Sequence, residues 1–388
     1  DGVRSALNRQ GMDLSARKAG QGATVAMDGK QHVLQFVIFE EEDPRHTKMV
    51  ALYDLAPRFV FDTNGDEDGQ RKLIEREFSF AGKRYRITIK PTVMKDEDGT
   101  LRTRYPGERE QIVEEVIRRL AAEKGRLSLQ DSKVRFPFSL YEVREELARV
   151  KHSYNTSEIK QAILILNECP VGIHALEDNK RLLSASAFPV IGMRTRNDSD
   201  DAETFVEFNP MVADAIRRLA FRQVSYELLM EIRDPIARWL YKRLHQEIAS
   251  NCRDVQQMLA TEIRRDSGMA VWKKTRSMLA RVRRAVEVLQ ERGLLAEVEC
   301  EDQMVARRKD DILFVMKPSA EMMREVQRAN RQVEDDASEY ARLSGDSGTD
   351  EFRPVEREDL NELRNGRRRR RFGVVEPMER IAAGAKVG

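Results

Sequence analysis

The stretch that decides the fold is VWKKTRSMLARVRRAVEVLQERG, residues 271–293. At 100° per residue its apolar side chains fall on one side of a helix, and Gly293 is a typical helix stop. The spacing therefore predicts a helix from about Val271 to Arg292. The predicted buried side comprises Val271, Thr275, Met278, Val282, Val286 and Leu289.

The opposite side of this helix is strongly basic. Between Val271 and Glu287 there are six cations and one acid, a net charge of +5. The outward stripe comprises Lys273, Ser277, Ala280 and Arg284, with Arg276, Arg281 and Arg283 on its flanks. Such a helix fits the DNA major groove, about 12 Å wide, where Arg and Lys read guanine edges and hold phosphates. The alternative is that the cations only keep an amphipathic helix soluble.

The neighbouring segments predict a helix-turn-helix followed by a hairpin. Asp234 and Pro235 are typical of a helix start, and Asp254 is predicted to cap a second helix that ends at the turn 266–268. The second helix is predicted to bury Val255, Met258, Leu259 and Ile263. Downstream, LLAEVEC and DILFVM predict a hairpin. This order is typical of a winged-helix domain.

The same order of elements occurs earlier in the chain. Ser139 and Glu142 form a capping box that predicts a helix start. Asn155 and Glu158 form a second one after a tight turn. VGIHAL and RLLSASAFPVIGM then predict a hairpin, TFVEF predicts another strand, and Asn209 starts a further helix.

Strands are predicted before these two units. HVLQFVIF, MVALYDL, RFVF and FSFAGKRYRITI, within residues 32–93, alternate apolar and polar side chains, and Gly82 suits a hairpin tip. A helix is predicted from Glu110 to Glu123, and another from Ser319 to Gln332.

We therefore predict an α+β fold with two tandem winged-helix domains, a small strand-rich region before them and disordered termini. The predicted boundaries are 1–30 for a flexible segment, 31–107 for the strand-rich region, 108–222 and 223–318 for the two winged-helix domains, and 319–388 for a helix and a disordered tail. In that tail, residues 334–362 hold 11 acids and 3 arginines, and Arg367–Arg371 reverse the sign.

Composition excludes several classes of protein. The 388 residues are 40% hydrophobic and 35% charged with a net charge of +2, and no run approaches the roughly 20 apolar residues of a membrane helix. The three isolated cysteines argue against a disulfide framework or a thiolate metal cage, so we expect a reducing cytoplasm. The opening shows no signal peptide, and Asp1 need not be the native start.

The candidate site residues are those that would contact DNA. In the second unit they are Lys273, Lys274, Arg276, Ser277, Arg281, Arg283 and Arg284, with Arg307, Arg308 and Lys309 in its hairpin. In the first unit they are Lys151, His152, Tyr154, Asn155, Thr156 and Lys160, with Lys180 and Arg181 in its hairpin. The alternatives are a polar turn before a packing helix, and hairpin tips that are merely solvated.

Enzymatic functions find little support in the motifs. The five histidines show no metal-ligand spacing, and neither a Walker loop nor a Gly-x-Ser-x-Gly elbow occurs. The acids at Glu40–Asp43 and Asp198–Asp201 suit magnesium in a nuclease, but adjacent acids in turns are far more often solvated loops. A nicking enzyme needs a tyrosine beside a histidine-rich metal site, and none of the eight tyrosines has that setting. We expect no enzyme, no metal and no cofactor.

Several pieces of the chain resemble plasmid replication initiators of the RepA and TrfA type, from bacteria. They are LYDLAP, the strand pair from FSF to ITI, TSEIKQAILIL, RDPIARWLYKRLHQE and VWKKTRSMLARVRRAVEVLQERGLLAEV, and they span roughly Met49 to Pro318. The most specific are the Pro-x-Ala-Arg core at Pro235–Arg238 and the basic helix that ends in Arg-Gly-Leu-Leu.

The resemblance implies a tandem winged-helix protein without enzymatic activity that binds repeated origin sites, promotes opening of adjacent AT-rich duplex and recruits host replication proteins. Its implied partners are double-stranded DNA, the host replicative helicase, the host initiator and the sliding clamp. It further implies a homodimer in equilibrium with a monomer, repression of its own promoter, and a cytoplasmic location with the bacterial nucleoid and plasmid. The main alternative is a winged-helix transcriptional regulator without a replication role.

One part of the family pattern is missing. In the family, a peptide before an Asp-hydrophobic-Ala-Pro sequence fits the sliding clamp through a glutamine and a terminal aromatic residue. Here Met49 occupies the glutamine position and Tyr53 the aromatic one. The resemblance therefore does not support clamp binding by this segment.

Overall fold

The structure is a computed structural model and describes residues 46–61, 72–95, 99–122, 127–130, 133–177, 181–193, 204–218, 220–251, 255–305 and 308–344. The predictions for residues 1–30, HVLQFVIF, Asp254 and the tail beyond Ser344 concern residues outside these ranges. The elements from His46 to Ser338 lie in one compact unit. No helix in the described ranges is long and apolar enough to span a bilayer.

The fold is mixed α and β. The strands are β1 (His46–Met49), β2 (Ile74–Phe80), β3 (Lys83–Ile89), β4 (Thr92–Lys95), β5 (Leu101–Arg104), β6 (Ser128–Gln130), β7 (Lys133–Pro137), β8 (Val171–Ala175), β9 (Arg181–Ala185), β10 (Val190–Gly192), β11 (Phe205–Glu207), β12 (Arg222–Ser225), β13 (Gln256–Leu259), β14 (Leu295–Val305) and β15 (Arg308–Pro318). The helices are α1 (Ala51–Leu55), α2 (Glu108–Ala121), α3 (Leu140–Arg149), α4 (Thr156–Glu168), α5 (Pro210–Arg217), α6 (Tyr226–Glu231), α7 (Pro235–Asn251), α8 (Ala260–Ser267), α9 (Thr275–Glu291) and α10 (Ala320–Ser344).

The strands form several small antiparallel sheets. In order, these are β1-β12, β10-β11-β7-β6, β13-β15-β14, β2-β3-β8-β9 and β4-β5. The hairpin of β2 and β3 turns at Gly82 with φ of +74°, as its glycine predicts. Ile87 in β3 pairs with Ile173 in β8, so one sheet combines strands from two of the predicted domains.

The prediction of a strand over MVALYDL was wrong for most of that segment. Only Met49 belongs to a strand, β1, and Ala51–Leu55 form the short helix α1. The backbone N–H of Val50 donates to a carboxylate oxygen of Asp54 at 2.6 Å, which fixes the first turn of this helix. Because Asp54 is itself held by distant residues, local alternation of side chains could not reveal the helix.

Both capping boxes of the first unit are confirmed. The N–H of Glu142 donates to Ser139 Oγ at 3.1 Å, and the N–H of Ser139 donates to the Glu142 carboxylate at 2.8 Å. At the start of α4, Asn155 and Glu158 make the same reciprocal bonds at 2.9 and 2.7 Å. These bonds satisfy N–H groups that a helix start leaves without partners.

The second unit departs from prediction at two helix starts. The segment with Met258 is the strand β13, in which Met258 pairs with Phe314, so α8 begins at Ala260 and not near Asp254. The predicted helix over 271–292 begins at Thr275, and Val271 is 85% exposed instead of buried. In both places a helix-like spacing of apolar residues continues into a segment whose backbone is extended or irregular.

The core of the second unit lies between α7, α8, α9 and the sheet β13-β15-β14. Its members include Leu240, Ile263, Val282, Leu289 and Phe314. Met278, Val282, Val286 and Leu289 of the predicted buried side are buried, whereas Thr275 is exposed. Helix α10 continues to Ser344 instead of ending near Gln332.

A cluster of buried charges joins α1, α2 and α7. Arg118 donates to both carboxylate oxygens of Asp54, at 2.6 and 3.0 Å, and Lys242 Nζ lies 3.4 Å from Asp54 Oδ1. Lys242 also donates to Glu115. Burial alone would raise the pKa of Asp54, but the charges of Arg118 and Lys242 outweigh burial and hold this pKa well below its usual range. Asp54 is therefore a carboxylate in the folded protein.

One further arginine, Arg58, belongs to this cluster, and a second, Arg238, is buried beside it. Arg58 Nη1 donates to Glu114 at 3.0 Å, and its guanidinium lies 3.7 Å from the centre of the Tyr53 ring. Arg238, which is fully buried, donates to Gln111 at 2.7 Å and to the carbonyl of Ile232 at 2.9 Å. We call Asp54, Arg58, Glu114, Glu115, Arg118 and Lys242 the buried ionic cluster.

Replacing Asp54 tests the importance of this cluster. We expect Asp54→Asn to lower the free energy of unfolding by about 3–5 kcal/mol, because it leaves Arg118 and Lys242 short of a buried counter-charge. Urea denaturation measures the change. Glu77→Gln is the control, since Glu77 pairs with Arg86 at 3.2 Å on the surface and its loss costs about 0–1 kcal/mol. Equal losses would contradict the prediction.

His245 predicts an acid-sensitive fold. It is fully buried, neither ring nitrogen has a hydrogen-bond partner in the described structure, and burial lowers its pKa to about 3. The unfolded chain therefore takes up a proton first, near pH 6.5, and stability falls as the pH drops below that value. We expect about 2 kcal/mol less pH-dependent loss between pH 7 and pH 5 in His245→Phe than in the wild type, by urea denaturation at both pH values. Identical pH profiles would show that His245 is not the cause.

Candidate nucleic-acid interface

The first turns of α9 and the loop before it carry the best candidate DNA contacts. Lys273, Lys274 and Arg276 are exposed, and Arg283 is half-buried on the same helix. Across the described ranges, no carboxylate lies within ion-pair distance of any of these four cations. Their charges are therefore available to an anionic partner. We call them the free cations of α9.

Arg281 has a structural partner instead. Its Nη1 donates to Asp234 Oδ2 at 2.6 Å. The other carboxylate oxygen of Asp234 accepts from the N–H groups of Ile236 and Ala237 at 2.9 and 3.0 Å and caps α7, as its position predicts. Asp234 thus ties α9 to the start of α7. Asp234 lies 47 residues before Arg281, so the local sequence does not reveal this ion pair. Arg281 was therefore predicted as a DNA contact.

Arg284 is exposed but neutralised by its own helix. It donates to Glu291 at 2.6 and 3.2 Å and lies 3.5 Å from Glu287. The hydrogen bond to Glu291 raises the pKa of Arg284 and lowers that of Glu291. The C-terminal half of the helix therefore offers less net positive charge than the sequence count indicates.

The backbone adds to the positive charge at the N-terminal end of α9. Lys274 stands at the N-cap position and contributes no side-chain hydrogen bond to the first turn. The N–H groups of a helix start and the helix dipole both favour an anion. Ser277 and the exposed Ala280 are small, so a groove wall can approach the helix between the cations.

One of the three predicted cations in the hairpin of β14 and β15 has a carboxylate partner. Lys309 forms an ion pair with Asp302, Arg307 lies outside the described residues, and Arg308 is the first residue of β15. Glu297, Glu299 and Glu301 alternate along β14 and are exposed, so they lie on one face. That face would repel phosphates, and sequence alternation alone could have shown it.

Among the described residues, the predicted contacts of the first unit include two exposed lysines. Lys151 and Lys160 are exposed, and Thr156 opens α4. Asn155 uses its side-chain oxygen as the cap of α4. His152 Nε2 lies 3.1 Å from the carbonyl oxygen of Met230, and burial lowers its pKa. Tyr154 is half-buried and burial raises its pKa.

The two remaining predicted contacts of this unit lie at its hairpin. Lys180 lies outside the described residues, and Arg181 is the first residue of β9. The predicted contacts of the first unit therefore stay predictions.

The structure also bears on the clamp-binding segment and on the predicted acid clusters. The segment that corresponds to the clamp-binding peptide of the family is part of the core, since Met49 and Tyr53 are each 1% exposed. In the described ranges, no three His, Cys, Asp or Glu side chains lie close enough together to hold a metal ion. The acid clusters 40–43 and 198–201 fall outside those ranges.

Stability measurements distinguish the two kinds of arginine on α9. We expect Arg281→Ala to lower the free energy of unfolding by about 1–2 kcal/mol, because it breaks a half-buried ion pair that links two helices. Arg276→Ala should change it by no more than about 0.5 kcal/mol, since Arg276 has no such partner. Urea denaturation of both variants measures the difference. A larger loss in Arg276→Ala would contradict the assignment.

Comparisons with known proteins give distant likenesses only. No protein-family model and no curated protein matches the chain. A selenomethionine crystal structure of domains 2 and 3 of RctB aligns at 12% identity with a TM-score of 0.38, covering 70% of this chain and 97% of that one. The crystal structure of the Pi initiator protein in complex with iteron DNA aligns at 12% identity with a TM-score of 0.36, covering 55% of this chain and 93% of that one. The Pi protein is an initiator, the class that the sequence motifs resemble, but likenesses at these TM-scores carry no argument about this chain.

Proposed function

We propose that this protein is a sequence-specific DNA-binding initiator of plasmid replication. The observation that carries the proposal is the group of four free cations at α9, Lys273, Lys274, Arg276 and Arg283, on and just before a helix that follows α8 after a seven-residue connection (268–274) and precedes a long hairpin. A surface helix that is merely solvated has no need of cations without carboxylate partners. A helix that contacts phosphates needs them, because a cation already held by a carboxylate is less available to the DNA.

The proposed architecture is a pair of tandem winged-helix domains. In the second, α7, α8 and α9 are followed by the hairpin of β14 and β15, and β13 completes a three-stranded sheet. In the first, α2, α3 and α4 are followed by the hairpin of β8 and β9. This common order supports two DNA-binding modules in which α9 and α4 are the recognition helices.

The proposed mechanism involves no covalent chemistry. The free cations and the N-terminal N–H groups of α9 bind the phosphates that flank the major groove, and the first turns of α9 face its base edges. Several copies bound to repeated sites strain the DNA, and this strain lowers the cost of opening the adjacent AT-rich duplex. Recruitment of the host helicase and initiator, and the exchange between dimer and monomer, belong to the same proposal.

Footprinting on the DNA upstream of the gene tests the function. We expect several protected blocks at regular spacing, and weaker protection at higher salt. A single palindromic block would instead indicate a transcriptional regulator. A lack of protection at low salt would overturn the proposal of sequence-specific binding. A plasmid nicking assay with magnesium tests the absence of enzymatic activity, since nicked product would contradict it.

The salt dependence of binding tests the site. We expect the triple variant Lys273→Ala, Lys274→Ala, Arg276→Ala to reduce the slope of log affinity against log salt by about 0.9 for each lost phosphate contact, up to roughly 2.7. Fluorescence anisotropy with a labelled duplex measures the slope. The matched control removes Lys83, Arg84 and Lys90, which are equally exposed cations outside α9. Equal slopes for the two triple variants would show that only net charge matters.

A further inference from the structure

Two large apolar residues stand exposed directly before the free cations. Val271 is 85% exposed and Trp272 is 42% exposed in the segment between α8 and α9. They are followed at once by Lys273 and Lys274. Exposed Val and Trp side chains forgo the free energy of burial, so an adjacent pair of them is a typical mark of a binding surface.

The chemistry around this pair restricts the class of molecule that fits it. Four free cations select an anion, while Val271 and Trp272 select an apolar group that lies within reach of the anionic charge. A DNA major groove offers both, because thymine carries a 5-methyl group on an edge that is flanked by phosphates. The position also fits, since this pair lies just before the first turn of α9, and the N-terminal residues of a recognition helix contact base edges.

We propose that Val271 and Trp272 form an apolar reader of thymine methyl groups at the N-terminal end of α9. The inference rests on the proposed DNA-binding function and adds a base preference to it. Lys273, Lys274 and Arg276 hold the phosphates on either side, and the two apolar side chains pack against the methyl groups. The binding site should therefore contain at least one thymine whose methyl group matters.

The test uses a duplex that the full chain selects from a random pool. Each thymine of this duplex is replaced in turn by uracil, which lacks only the methyl group. We expect the wild type to lose about three- to four-fold in affinity at one or two positions. The double variant Val271→Ser, Trp272→Ser should bind thymine and uracil duplexes equally, and Trp272→Phe should keep part of the discrimination.

Tryptophan fluorescence gives a second measurement, which does not depend on the uracil duplexes. The chain has two tryptophans. Trp239 is 5% exposed and donates its indole N–H to the carbonyl of Leu55 at 3.0 Å, so acrylamide reaches mainly Trp272. We expect the duplex to protect Trp272 from acrylamide, and Trp272→Phe to abolish the DNA-dependent part of the signal.

The outcomes separate the two proposals. If the protein selects no duplex, the proposed function fails and the inference falls with it. If it selects a duplex but binds the thymine and uracil forms equally at every position, the inference alone is overturned. It is also overturned if the double variant still discriminates the two forms. Protection of Trp272 that depends on protein concentration without DNA would assign the pair to contact with a second copy instead.

Discussion

The buried ionic cluster is the constraint on which the rest of the structure depends. Asp54 accepts hydrogen bonds from Arg118 of α2 and Lys242 of α7, and Glu115 accepts a second hydrogen bond from Lys242. Buried charges are costly unless each has its partner, so helices α1, α2 and α7 can pack only in an arrangement that satisfies all of them. A purely apolar interface would tolerate small shifts between these helices, whereas this one fixes α7 relative to α2.

The start of α7 in turn positions the candidate interface. Asp234 caps α7 with one carboxylate oxygen and holds Arg281 of α9 with the other. The apolar face of α9, including Val282 and Leu289, packs into the same core as Leu240 of α7. A polar contact and an apolar face thus set both the rotation of α9 about its axis and its position, and they leave its free cations on the surface.

The predictable parts of this molecule are those with local causes. Ser139, Asn155 and Asp234 cap helices through bonds within three residues, and Gly82 turns a hairpin, so each could be recognised in the sequence. Other features have distant causes. Strand β13, which was predicted as part of a helix, exists because Phe314 pairs with Met258. Arg281, whose contact with DNA stays a prediction, is held by Asp234, far away in the sequence. The sequence count of cations on α9 was right, but their division into paired and free depends on the tertiary structure.

The two ends of α9 therefore differ in the charge that they offer to a partner. Its N-terminal end combines Lys273, Lys274 and Arg276 with unpaired N–H groups, and all of these favour phosphate. Its C-terminal end carries Glu287 and Glu291. Acids at this end interact unfavourably with the helix dipole, and Arg284 offsets their negative charge. Phosphates would be attracted more strongly to the N-terminal end than to the C-terminal end. A duplex is therefore expected to meet this helix at its first turns, with the rest of α9 serving to anchor those turns in the core.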